Sequence, residues 1–520
     1  MARWWPHLVL LAGFVLRAAN LTGESLWRDE VDTIRFAFVG LDQLLGNLTR
    51  AQFNGPLYHL LMRGWLSLAG VDDLPLRYFS ALCGALQLAL YYALARRMFG
   101  PRVALAGLGL AAISPALAWY GGEGKMYTLQ PMLIMLALYA LLRALTSASG
   151  APRRAPLGWW AIFVAAASAG FYVHLLTPLA LAVAAAFALA WQRAARAHWR
   201  GLLIAFGLCT LPYVPLAVWQ VPLALAGGDL GHAYYPLDVM ALSLAYNWSI
   251  GLSGRLVFGL DPELGWLAIA SFAALAALGA AAGLQSARRG ATLAALAWLL
   301  APALLVYLVS TRIAIFQPRY VLWSAPAYYL LVALGLRWLW RRATPLAIGI
   351  GAWLMLLSAL GAASQIAIPI RPDLRGAAAY VGNRLGPADR LVFQIPYTRY
   401  AFEYYLPRFA PQYPVDSQPQ PDDGLATLAG LRARIGDGPY TNPDLPDPDV
   451  EDAVRQAIGP GERIWYVEVE PQLWDARGAA RAWFDANLAL LDRRDFRGVQ
   501  AGLYARPLDY DFHLPMVSRE

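Results

Sequence analysis

Eleven stretches, each close to the roughly 20 apolar residues needed to cross the hydrocarbon core of a bilayer, dominate the first 370 residues. They lie near 5–20, 76–97, 102–119, 126–143, 157–173, 175–192, 200–222, 262–284, 291–310, 319–338 and 344–368. In lipid, where no water can hydrogen-bond an open backbone, such segments fold as helices. Composition points the same way. Of 520 residues 58% are hydrophobic and 15% charged, with mean hydropathy +0.43, against about 25% charged in soluble domains. A simple water-soluble enzyme, a disordered chain and a coiled coil are excluded. The first stretch, Arg3 followed by an apolar run, looks like a signal peptide; with so many spans behind it, it reads as a retained signal-anchor helix.

The net charge of +8 is carried almost wholly by arginine, since Lys125 is the only lysine. In a membrane protein this predicts cytoplasmic arginine loops, not a nucleic-acid partner. With the N-terminus inside, Arg96, Arg97 and Arg102 fall inside. So do Arg143, Arg153, Arg154, Arg193, Arg196, Arg200, Arg288, Arg289, Arg337, Arg341 and Arg342. That pattern survives only if two weaker apolar stretches, 56–70 and 239–253, lie in the outer interface as juxtamembrane helices. Cys83 and Cys209 sit in apolar runs and form neither a disulfide framework nor a metal motif.

An odd number of spans places residues 371–520 outside. Here composition turns to Pro, Asp, Arg and Gly, and apolar periodicity continues at soluble lengths. Residues 375–385 and 474–488 read as helices, and 390–395, 463–469 and 498–505 as strands, which predicts a small α/β domain. The Pro- and Asp-rich segments 411–424 and 436–450 read as loops. The fold class is thus a polytopic α-helical membrane protein, 1–370, with a C-terminal soluble α/β domain, 371–520.

Three polar clusters fall on the outer side in this orientation. The first is Trp27-Arg28-Asp29-Glu30-Val31-Asp32. Acids favour a helix N-terminus, so this is either a solvated helix start or a general base or metal ligand at the membrane surface. The second is Glu123-Gly124-Lys125-Met126-Tyr127. It reads either as a Glu–Lys pair capping a span or as an active-site acid beside a phosphate-binding cation. The third holds Arg312, Arg319 and Tyr320. Its arginines break the inside rule, and they either snorkel to headgroups or bind a lipid-linked phosphate with the guanidinium fork. His174, at the outer end of the fifth span, is a pocket candidate. His59 and His232 lack metal-type spacing and carry less weight.

These segments resemble a known family. An acidic pair after Trp27, then Asn54-Gly55-Pro56-Leu57-Tyr58, then Glu123-Gly124-Lys125-Met126-Tyr127, then Arg319-Tyr320 opening a late span, look like the GT-C glycosyltransferases. More narrowly they are similar to the protein O-mannosyltransferase and aminoarabinose-transferase group. Arg371-Pro372-Asp373-Leu374-Arg375 looks like that group's junction to an outer domain. The sequence departs from the family's His-Pro pattern at Asn54-Gly55, and Lys125 stands where the family carries Arg.

The resemblance implies a GT-C fold and transfer of a sugar from a polyprenyl-phosphate carrier to a hydroxyl acceptor on a lipid, glycan or protein. The reaction would lie at the outer face of the cell membrane and invert the anomeric centre. Asp29 is then the candidate base, with Glu30 or Glu123 orienting the acceptor. Lys125, Arg319 and Arg312 are the candidates for the donor phosphate. Trp27, Tyr58, Tyr127, His174 and Tyr320 are the pocket candidates. No cofactor is firmly implied; the acids at 29, 30 and 123 could hold a divalent metal ion. The rival reading is a transporter or lipid flippase, which would instead show helices broken near the midplane and inverted repeats.

Overall fold

In a computed structural model the described residues are 4–46, 54–146, 154–227, 233–251, 262–394, 396–411, 426–427, 454–455, 458, 463–475 and 477–506. The expected loops at 411–424 and 436–450 lie almost wholly outside them. The chain divides into two compact units. One comprises Met1–Glu24 with Asp32–Ile370, the other Ser25–Val31 with Arg371–Glu520.

The first unit is helical. Its helices are α1 Trp5–Ala18, α2 Arg28–Phe38, α3 Leu41–Gly46, α4 Leu57–Ala69, α5 Asp73–Phe99, α6 Pro101–Ala112, α7 Pro115–Gly121, α8 Leu129–Thr146 and α9 Arg154–Phe171, the start of α2 belonging to the second unit. Then come α10 Ala180–Ala190, α11 Gln192–Ala197, α12 Trp199–Ala226, α13 Leu237–Ile250, α14 Pro262–Leu284, α15 Arg289–Ser310, α16 Ala325–Trp340 and α17 Thr344–Ala367. Every expected span is helical. Among the described residues, however, six helices are long and apolar enough to cross a bilayer, or seven if α6 and α7 count as one span bent by 60°. The weak stretches 56–70 and 239–253 form α4 and α13, of 13 and 14 residues. At 1.5 Å per residue each is about 20 Å long, well short of the roughly 30 Å core.

The bend between α6 and α7 sets up everything that follows. Pro115 cannot donate to the preceding turn, and Ser114 caps the new helix by accepting from Leu117 N at 3.2 Å. Carbonyls at the end of α6 therefore need other donors. The buried Arg17 of α1 supplies them: Nη1 donates to Ala112 O at 2.9 Å and Nη2 to Ala111 O at 3.1 Å, with a further bond to Gly13 O at 2.8 Å. Gly121 leaves room for it, since a Cβ there would lie 2.7 Å from Arg17 Cγ. Elsewhere α14 and α16 pack backbone to backbone: a Cβ on Gly279 would fall 2.0 Å from Leu331 O, and one on Gly335 2.1 Å from Leu275 O. Small residues at such crossings are the usual means of close helix approach in lipid.

The second unit is an α/β layer. Strands β1 Arg390–Phe393, β2 Ala426–Thr427, β3 Arg463–Val469, β4 Ala489–Phe496 and β5 Val499–Ala505 form a sheet in the order β2-β1-β3-β5-β4. β1 runs parallel to β2 and β3, and β5 antiparallel to β3 and β4. Helices α18 Leu374–Gly382, α19 Pro396–Tyr405 and α20 Ala479–Asn487 accompany it. The strands expected at 390–395, 463–469 and 498–505 are present, and the helix expected over 474–488 begins at Ala479. β4 was not expected. Its run Asp492-Arg493-Arg494-Asp495 has no apolar alternation because it is an exposed edge strand, joined to β5 by Arg497-Gly498, with Gly498 at φ +65°. A two-residue hairpin favours such a glycine.

Candidate active site

The loop between α7 and α8 carries Glu123, Lys125 and Tyr127. Neighbouring helices hold it by its carbonyls: Thr33 Oγ1 of α2 donates to Gly124 O at 3.0 Å, and Ser80 Oγ of α5 to Lys125 O at 3.2 Å. Gly124 is needed for close approach, since a Cβ there would lie 2.5 Å from Leu76 Cγ. Glu123 is 1% exposed.

Around this loop an aromatic cluster forms. Tyr127 packs edge-on to Tyr120 with ring centroids 5.6 Å apart, and lies 6.4 Å from both His174 and Tyr320. His174 and Tyr320 are 5.0 Å apart. The Arg319 guanidinium lies 5.5 Å from the Tyr127 ring centre and 5.6 Å from that of Tyr320, within cation–π range. Tertiary structure thus brings together Glu123, Tyr127, His174, Arg319 and Tyr320, which sequence reading proposed separately.

His174 follows the end of α9. Its Nδ1 accepts from Leu176 N at 3.2 Å, so the neutral ring carries its proton on Nε2. Burial, and then the positive Arg319, push its pKa down to about 3. His59, on α4, behaves the same way. Burial, and then Lys125 nearby, lower its pKa to about 3 against a backbone hydrogen bond to Thr33 that favours the charged form. Its ring packs against Phe36 with centroids 5.5 Å apart. Lys125 lies near enough to His59, and Arg319 to His174, to disfavour the charged ring. Lys125, half-buried, makes no ion pair among the described residues.

Residues 54–58 lock onto the chain after α9. Asn54 Oδ1 accepts from Leu175 N at 3.0 Å, and Leu57 N donates to Tyr172 O at 3.0 Å. A Cβ on Gly55 would lie 2.4 Å from Tyr172 Cα. Asn54-Gly55 is thus a positioning pair for the His174 loop, and Tyr58 is fully buried behind it.

The other candidates fall elsewhere. Asp29 and Glu30 sit in the first turn of α2, within Ser25–Val31, which groups with the second unit. Glu30 is fully buried. Its Oε2 accepts from Arg371 Nη1 at 3.0 Å and from Trp27 N at 3.4 Å. The second bond is half of a capping box, in which the third helical residue reaches back to the residue before the helix. Trp27 and Asp29 are half-buried. Arg312, just past α15, is exposed and makes no side-chain hydrogen bond or ion pair among the described residues. Among the described residues no three His, Cys, Asp or Glu side chains lie close enough together to hold a metal ion.

A helical membrane unit that gathers an acid, two cations and aromatics on the loops at one end of its helices, followed in sequence by an α/β unit, has the architecture of the GT-C glycosyltransferases. Residues 54–222 match the family model described as dolichyl-phosphate-mannose-protein mannosyltransferase. ArnT from Cupriavidus metallidurans in the apo state shares the fold at TM-score 0.55 and 16% identity, covering 96% of this chain and 97% of that one. The same protein bound to undecaprenyl phosphate gives 0.52 and 13%, covering 97% and 98%. The Archaeoglobus fulgidus oligosaccharyltransferase in complex with Zn and sulfate gives 0.55 and 14%, covering 96% and 74%. No curated protein sequence matches the chain. The fold over nearly the whole chain is thus that of these glycosyltransferases, and the family match covers residues 54–222.

Proposed function

We propose that the protein moves a sugar from a polyprenyl-phosphate donor to a hydroxyl acceptor at the outer face of the membrane, with inversion at the anomeric carbon. The observation that carries this reading is the cluster in which the Arg319 guanidinium lies over the rings of Tyr127 and Tyr320 beside the buried His174, with Lys125 on the same loop as Tyr127. Departure of the lipid phosphate develops negative charge on its bridging oxygen. Preorganised cations at a water-poor site stabilise such charge far better than water does. The leaving group is already a good one, so the site needs cations more than it needs a strong general acid. The aromatic faces of Tyr127 and Tyr320 suit the apolar side of a sugar ring.

A donor of this kind is in keeping with the relatives: one ArnT structure holds undecaprenyl phosphate, and one archaeal oligosaccharyltransferase structure holds an inhibitory peptide with a dolichol-phosphate. The acceptor hydroxyl needs a base in the transition state. We assign that role to Asp29, and to Glu123 the orientation of the acceptor. Glu30, committed to Arg371 and to the cap of α2, is a positioning residue in this scheme.

The test is turnover of a polyprenyl-phosphate sugar by the purified protein and two variants. Asp29→Asn is expected to lose transfer while still binding donor. Arg319→Ala is expected to raise the donor KM at least tenfold. Near-normal turnover in the first, or an unchanged donor response in the second, removes that residue from its role.

A further inference from the structure

The helices that bring the candidate site together end, at their far ends, on a second feature. On α5, Ser80 contacts the Lys125 carbonyl while Phe99 closes the helix; at 1.5 Å per residue those positions are about 29 Å apart. On the late span, Tyr320 stands at the start and Arg337 in the last turn of α16. Where α5 turns into α6, α14 into α15, and α16 ends, the structure forms an open cleft of about 510 Å³, in which Arg337 is half-buried and Arg102, Arg288, Arg341 and Arg342 are exposed.

Five arginines line it: Arg102, Arg288, Arg337, Arg341 and Arg342. No Asp or Glu lines it, and among the described residues none of the five makes an ion pair. Arg102 and Arg341 lie close enough to Arg337 to repel it. The Arg342 guanidinium stacks at 4.0 Å on the ring of Trp338, and that of Arg288 approaches Gly100, where a Cβ would lie 3.4 Å away. The wall behind them is apolar or small, including Val103, Leu334, Gly279 and Gly283.

The positive-inside rule asks for arginines in loops on one side. It does not ask that five, from three separate stretches of chain, converge on one cavity. Water and salt screen part of the repulsion among these arginines, and a bound anion would neutralise the rest. Guanidinium forks fit phosphate oxygens bidentately, and basic pockets between membrane helices take phosphate-bearing lipid headgroups. We infer that this cavity is a binding site for an anion carrying at least two phosphate charges, distinct from the candidate active site and independent of the transferase reading. The apolar wall beside the arginines favours the headgroup of a diphosphate-bearing lipid; a soluble pyrophosphate offers the same chemistry.

The experiment uses the full chain in detergent and reads the thermal unfolding midpoint during titration with cardiolipin, phosphatidylcholine or inorganic pyrophosphate. Cardiolipin is expected to raise the midpoint where phosphatidylcholine does not. Arg337→Gln with Arg341→Gln should raise the half-saturating concentration at least tenfold. Arg193→Gln with Arg196→Gln, which removes two arginines outside the cavity, should leave it unchanged. Protection by pyrophosphate alone at comparable concentration assigns the site to a soluble anion, and protection by cardiolipin alone to a lipid. If cardiolipin and phosphatidylcholine act alike and pyrophosphate does nothing, or if both double variants weaken binding equally, the site is refuted. Arg102→Gln, at an exposed position, gives the same reading if the first double variant does not fold.

Discussion

Acid should unfold this protein earlier than its carboxylates alone would dictate, and the reason lies in two histidines. His59 and His174 are held neutral in the fold, with pKa about 3, whereas in an unfolded chain each titrates near 6.5. Below that pH the unfolded chain binds protons that the folded one refuses. Stability is therefore level above about pH 7 and falls as pH drops through the window from 6.5 toward 3. The slope is about 1.4 kcal/mol per pH unit for each histidine. At pH 5.5 the two together remove about 3 kcal/mol, a large part of a typical stability of about 5–15 kcal/mol. Carboxylates of the unfolded chain titrate near 4, so the interval from 6.5 to 5 isolates the histidine effect. The assay is the unfolding midpoint of the purified full chain in detergent, measured every half unit of pH. His59→Gln offers an amide to the Thr33 carbonyl, and His174→Asn offers an oxygen to Leu176 N. Each variant should flatten the slope by about half, and the pair should nearly abolish it. A wild-type slope retained in the double variant would refute the reasoning, because the acid sensitivity would then come from other groups.

Three substitutions test the supports of the site. Arg17→Met removes the donors to Ala111 and Ala112 at the end of α6. Each buried unsatisfied carbonyl costs about 1–3 kcal/mol, so a loss of about 3 kcal/mol is expected in chemical denaturation. Gly55→Ala pushes a methyl into the Tyr172 backbone; a cost of about 1–3 kcal/mol is expected, with the damage read as faster hydrogen exchange confined to 54–58 and 170–176. Glu30→Gln removes a carboxylate from the buried Arg371 and should lower stability by about 3 kcal/mol. Any activity lost in that variant should track the folded fraction, whereas a catalytic Glu30 would lose turnover in fully folded protein.

Some of this was legible residue by residue. Apolar runs announce helices because burial in lipid is decided within about 20 consecutive residues. Glu123, Lys125 and Arg319 stand out because ionisable groups beside such runs are expensive and are kept for function. The strands at 390–393, 463–469 and 499–505 show because their faces are apolar. β4 does not, since an exposed edge strand has no apolar face to display. His59 does not stand out, because in sequence it shows only a lack of metal-type spacing. Arg17 is not among the residues the sequence singles out, although an ionisable residue inside an apolar run is itself a signal.

What only the tertiary structure decided is partnership. Arg17 has meaning because a helix bends some 95 positions later and frees the carbonyls it binds. Arg319 joins the site because it is folded over Tyr127 and Tyr320 and beside the buried His174, residues from separate stretches of chain. Glu30 gains an ion-pair partner that no local window of sequence shows, because Arg371, 341 positions away, is folded onto it. Hydropathy is a property of a short window of chain and can be read from it. Desolvation and charge pairing depend on which distant atoms end up within a few ångströms, and that is settled only when the helices pack.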